Sequence, residues 1–171
     1  MYTNQVIFVQ MHNDFAGNTL SEMPEEMVSD IIKKISDIYH SQISANLLEN
    51  MPYKKIADIL GRLSNPDIAE ILARLTADNA SYILLEMKDE DILEILSEMD
   101  GDDASSIVNG MYYTDAARIL DQIWDDKLLT YIIMVLHRAN RKNLPLILKA
   151  NSNLNARIKY LLSNQGIYLP F

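Results

Sequence analysis

Nine carboxylates crowd the stretch from Glu86 to Asp103: Glu86, Asp89, Glu90, Asp91, Glu94, Glu98, Asp100, Asp102 and Asp103, against a single cation, Lys88. Crowded carboxylates repel one another, and a hard divalent cation relieves that repulsion. Magnesium takes one or two carboxylates and keeps its waters. Asp100, Asp102 and Asp103 are the candidate ligands for such a cation, with Mg2+ one possibility. The plainer reading is a solvated acidic face whose carboxylates mark helix starts, where the helix dipole favours them.

Other chemistry finds little support. His12, His40 and His137 are far apart in sequence and lack a ligand-spaced partner, which reads as solvated or locally satisfied imidazoles. The chain has no Gly-rich phosphate loop, no nucleophile elbow and no His-Glu-x-x-His pattern. It has no cysteine, so disulfides, zinc–cysteine sites and thiol catalysis fall together. An enzyme is not expected. Tyr112, Tyr113 and Trp124 interrupt otherwise polar turns. Exposed, they would mark a contact surface, since aromatics are enriched at interfaces; the alternative is that they pack between turns.

These residues sit on a repeat. From Ile56 onward one phrase returns every 12 residues, with Ile56, Ile68, Ala80, Ile92, Ala104 and Ala116 as position one. Position four is then always isoleucine: Ile59, Ile71, Ile83, Ile95, Ile107, Ile119. Position five reads Leu60, Leu72, Leu84, Leu96, Val108, Leu120. Position eight reads Leu63, Leu75, Met87, Met99, Met111, Ile123, so Met87, Met99 and Met111, with Met51 one register earlier, are core fillers. Position two is small, apart from Leu93. Glu70 at position three lies on the polar face.

The spacing one, four, five, eight is that of an amphipathic helix. A continuous helix would rotate its apolar stripe by about 120° at every repeat, leaving apolar side chains all round. The helix must therefore break once per repeat. The breakers fall at positions nine to twelve: Ser64, Thr76 and Asp100 are capping types, Asn65-Pro66 places a capping side chain before a first-turn proline, and Asp67, Asp91, Asp103 and Asp115 supply first-turn carboxylates. Helices this short are marginal alone and must stack.

Outside the array the pattern loosens. Val6 to Val9 reads as a strand or extended segment, and Asn13-Asp14 and Gly17-Asn18 as turns. A helix starts near Ser21 or Pro24 and runs to about Tyr39. Leu128 to Leu136 reads as a longer buried helix, Asn140 to Asn143 as a break, Leu146 to Ala150 as a short helix, and Asn153 as the cap of a last one. Of 171 residues 49% are hydrophobic, which argues against wholesale disorder. No apolar run approaches the roughly 18 to 20 residues needed to span a bilayer, and the start lacks a basic leader, so a cytoplasmic location is expected. Net charge is −9, unevenly spread: residues 127–171 hold no acidic residue and seven basic ones, among them Arg138, Arg141 and Lys142. The acidity of the body argues against nucleic acid. The basic tail, with Tyr160, Tyr168 and Phe171, is suited to an acidic surface on a protein partner or on another copy, which would make self-association sensitive to salt.

The array resembles the cytoplasmic N-terminal domain of MgtE-type magnesium transporters, a superfamily shape shared with flagellar motor-switch proteins. The units Ile56-Ala57-Asp58-Ile59-Leu60-Gly61-Arg62-Leu63 and Ile68-Ala69-Glu70-Ile71-Leu72-Ala73-Arg74-Leu75 carry the likeness. So does Glu98-Met99-Asp100-Gly101-Asp102-Asp103-Ala104, which has glycine where that family has proline. The resemblance covers residues 42–126. It implies an α-solenoid and, as a functional alternative, a magnesium-responsive regulatory domain. No paired cystathionine-synthase-type domains and no transmembrane bundle follow, so transport itself is not expected.

The expectation is an all-α chain: a right- or left-handed α-solenoid of short helices with a 12-residue repeat. Residues 1–20 form an irregular arm, 21–126 the array, and 127–171 a basic helical cap. The expected function is a non-enzymatic protein–protein interaction module. Its candidate partner-binding residues are Tyr112, Tyr113, Trp124, Arg138, Arg141 and Lys142.

Overall fold

A computed structural model describes residues 13–139 and 143–168. Val6 to Val9, His12, Arg141, Lys142 and Phe171 lie outside them. Among the described residues there are twelve helices and no strand. They are α1 (Asn13–Ser21), α2 (Glu25–Tyr39), α3 (Ser41–Leu48), α4 (Tyr53–Leu60), α5 (Asn65–Leu72), α6 (Ala77–Leu85), α7 (Asp89–Glu98), α8 (Gly101–Gly110), α9 (Tyr113–Gln122), α10 (Asp126–Ala139), α11 (Asn143–Ala150) and α12 (Ser152–Asn164). Helices α3 to α9 begin at Ser41, Tyr53, Asn65, Ala77, Asp89, Gly101 and Tyr113, each twelve residues after the last.

The chain forms two compact units, residues 1–99 and 100–171. The division falls inside the stretch that reads as one array. In the first unit each helix packs on its next-but-one neighbour: α1 on α3, α3 on α5 and α5 on α7, with α2 on α4 and α4 on α6. In the second unit α8 packs on α10, α9 on α11 and α10 on α12. The packing module is therefore a pair of helices. One helix fills one row and its successor fills the other, which accommodates the rotation of the apolar stripe from repeat to repeat. Every position-four and position-five side chain from Ile59 to Leu120 is buried. Burying each such side chain fully contributes about 1.5–3 kcal/mol relative to exposure, and this burial stabilises helices too short to persist alone. The serines at position two are buried as well, but their hydroxyls are satisfied within their own helices: Ser81 donates to the Asp78 carbonyl at 2.8 Å and Ser105 to the Gly101 carbonyl at 2.5 Å.

Polar side chains tie neighbouring helices together within each row. Ser41 Oγ donates to Glu70 at 2.7 Å, Asn65 Nδ2 to Glu94 at 2.7 Å, and Tyr53 Oη to Asn79 at 3.0 Å. Glu70 is thus not an idle polar-face residue: it accepts from a buried serine. Lys55 Nζ donates to the Ser21 and Met23 carbonyls and lies 3.7 Å from Glu25. Lys33 lies 2.8 Å from Asp67, whose carboxyl is held below the usual range by that contact and by the Ser64 hydroxyl.

Several boundaries differ from the sequence reading. Helix α1 occupies residues that read as turns. Gly17 is there for close approach: a β-carbon on it would lie 2.9 Å from the Leu47 carbonyl oxygen of α3. Ser64, not Asn65, caps α5, which leaves the Asn65 amide to reach α7. Asn151, not Asn153, caps α12, accepting from the Leu154 amide at 3.0 Å. Asn143 opens α11 rather than ending a break. Met51, Met99 and Met111 are buried fillers, whereas Met87 is only half-buried.

Candidate functional site

Asp100, Asp102 and Asp103 surround the start of α8. Asp100 stands at the cap position, exposed and without a side-chain capping bond. Asp103 lies half-buried in the first turn. Asp102 accepts a hydrogen bond from Tyr131 Oη of α10 at 3.0 Å. That bond raises the phenol above its ordinary value of 10.0, first through the hydrogen bond itself and then through the carboxylate's charge. The Tyr131 ring also covers Gly101, where a β-carbon would come within 2.4 Å of two ring carbons. Glycine here, where the resembled turn has proline, is what admits the ring. Among the described residues no three His, Asp or Glu side chains are grouped to hold a metal ion. Asp102 thus serves a structural contact.

The aromatic candidates stand apart from this turn. Tyr112 is the cap residue of α9 and is 62% exposed. Tyr113 follows it half-buried, and the two rings meet with centroids 4.3 Å apart. Trp124 is 89% exposed, and it is the chain's one tryptophan. Its turn is fixed on both sides. Arg157 of α12 donates to the Ile123 carbonyl at 2.6 Å and to the Asp126 carboxylate at 2.6 Å. Asp125 accepts from the amides of Lys127 at 2.8 Å and Leu128 at 3.3 Å, capping α10. A hydrogen-bonded turn thus presents an indole to solvent. Tyr160, one turn beyond Arg157 on α12, is also exposed. Arg138 is exposed on α10, while Arg141 and Lys142 fall outside the described residues.

Two features escaped the sequence reading. Tyr53 and Tyr82 stack with centroids 5.3 Å apart on the α4–α6 surface. A signal existed for Tyr82: it takes position three, where other units carry Asp58, Glu70, Glu94, Ser106 and Arg118. The second is Arg157, whose role depends on a contact 34 residues away and leaves no local trace.

An all-α array of short stacked helices with aromatic side chains turned outward defines a helical-repeat domain. The chain belongs to the MgtE intracellular N domain family, whose model matches residues 3–79, 40–91 and 51–149. Residues 51–79 fall within all three matches, as an internally repetitive sequence would produce. No curated protein and no solved structure matches it. Among the described residues no helix is long and apolar enough to cross a membrane.

Proposed function

We propose that this chain is a non-enzymatic protein-interaction module of the cytoplasm, built on the helical repeat of its family. The exposed Trp124, on a turn held by hydrogen bonds on both sides, carries the reading. Fixing the turn before binding removes part of the entropy cost of association, and buried tryptophans are typical anchors of interface energy. Tyr112, Tyr113 and Arg138 are the described residues that complete the proposed partner-binding set. The test compares proteins that co-purify with the full chain from its native cell. Trp124→Ala should release a discrete partner without lowering the melting temperature; the same partners with wild type and variant would contradict the reading.

Family membership supports a second reading, a magnesium-responsive regulatory domain. Asp100, Asp102 and Asp103, around the start of α8, are its candidate ligands. Millimolar magnesium should then raise the melting temperature beyond sodium chloride at matched ionic strength. Equal responses to the two salts would remove it.

A further inference from the structure

The first unit carries an open groove of ≈ 580 Å³. One wall is a helical stripe, Lys54, Asp58 and Arg62, spaced four apart along α4 and the turn after it. The opposite wall is Glu86, Lys88 and Asp91, from the turn before α7 into its first turn. Leu63 and Met87 line the space between them. Both hold position eight, which is buried after α7, α8 and α9 as Met99, Met111 and Ile123. Here the same position is only half-buried. Part of the repeat's apolar surface is therefore left uncovered in this groove, as it is at Leu75, the position-eight residue between these two in sequence.

The charges around it say what would cover it. Lys54 is already paired with Asp58 at 3.0 Å. Arg62, Glu86, Lys88 and Asp91 have no ion-pair partner among the described residues. Both signs face the groove, so a polyanion such as nucleic acid would meet repulsion as well as attraction. The wall from Lys54 to Arg62 runs about 12 Å, the rise of eight helical residues. The volume suits the side chains from one face of a helix and not a folded domain. Apolar contacts at helical spacing between charged flanks are the recognition mode of a helix laid in a groove.

We infer that this groove seats a two-turn amphipathic helix of a partner protein. Its apolar face covers Leu63 and Met87, a carboxylate on it pairs with Arg62, and a cation pairs with Glu86 or Asp91. This surface is distinct from the one around Trp124, and it names a partner chemistry that the indole does not.

The probe is a fluorescently labelled helical peptide with leucines at i, i+3, i+4 and i+7, flanked by one glutamate and one lysine. Binding to the full chain is followed by anisotropy. Arg62→Glu should weaken binding about tenfold, and a peptide with that glutamate changed to lysine should restore it. Asp91→Lys, with the peptide's lysine changed to glutamate, is the matching variant should Arg62→Glu lose its helical signal. Trp124→Ala should change neither result, which separates failure here from failure of the interaction reading above. The inference is overturned if neither peptide binds, or if binding ignores the charge reversals. It is also overturned if Arg62→Glu abolishes self-association of the chain, because the groove would then belong to a second copy.

Discussion

Tyr131 rests on Gly101 so closely that the two residues must be considered together. Replacing Gly101 by alanine puts a β-carbon where the ring lies; the backbone there needs no positive φ, so the cost is steric. Gly101→Ala should destabilise the chain by about 1 kcal/mol, the lower range for overpacking, because the ring is partly exposed and able to shift. It should also break the Tyr131–Asp102 hydrogen bond, so adding Tyr131→Phe to Gly101→Ala should cost little more. The pH dependence follows from the raised phenol. The unfolded phenol ionises first, near its ordinary value of 10.0, so the bond's stabilisation is fully present below that pH and is lost as pH rises through the folded value. The stability difference between wild type and Tyr131→Phe, measured by urea unfolding, should shrink above that point; a difference that grows with pH would show that the bond is not formed. None of this was legible in the acidic run, because the hydroxyl that answers Asp102 lies 29 residues away. Carboxylates at a helix start look alike in sequence whether they hold an ion, a tyrosine or water.

The helices themselves were largely legible. Isoleucine at every position four, capping residues at Ser64 and Thr76, and first-turn aspartates at Asp67, Asp103 and Asp115 all fall where the structure uses them. The misplaced elements share a cause, which is tertiary contact overriding a local preference. Gly17 reads as a turn because glycine weakens a helix, but its place is set by the Leu47 carbonyl. Asn65 reads as a cap because asparagine favours caps, but α7 claims its amide. Pairing in alternate rows was also invisible, because a 12-residue phrase looks the same whichever neighbour it touches. Burial gives the element-scale prediction. Ile83→Asp, which buries an unpaired carboxylate, should cost several kcal/mol, and Ser106→Ala on the exposed face should stay within about 0.5 kcal/mol. Glu70 is unsuitable as the neutral control because Ser41 donates to it. Thermal unfolding with equal shifts at Ile83 and Ser106 would contradict the stacked-row core.

At the scale of the whole chain, charge is the feature that no single helix explains. Residues 1–99 hold 17 acidic and 7 basic side chains, and residues 100–171 hold 7 and 8. Repulsion within the first unit is only partly relieved by pairs such as Lys33–Asp67 and Lys54–Asp58. An acidic unit in one copy and the basic C-terminal helices of another attract over a Debye length, which is about 30 Å at 0.01 M salt and about 8 Å at 0.15 M. Sedimentation at low salt should therefore show association that grows with protein concentration and weakens at physiological salt. Arg138→Gln together with Arg141→Gln and Lys142→Gln should weaken it further; a monomer at both salts would leave only the heterologous partner. That partner is best sought at the indole. Trp124→benzoylphenylalanine places a photoreactive group at the proposed anchor without disturbing the Arg157 clamp, and Lys34→benzoylphenylalanine, on the exposed face of α2, serves as control. Illumination in the native cell should give a discrete covalent adduct from position 124 and none from position 34; equal adducts from both positions, or none above background from position 124, would contradict the assignment of this surface to protein binding.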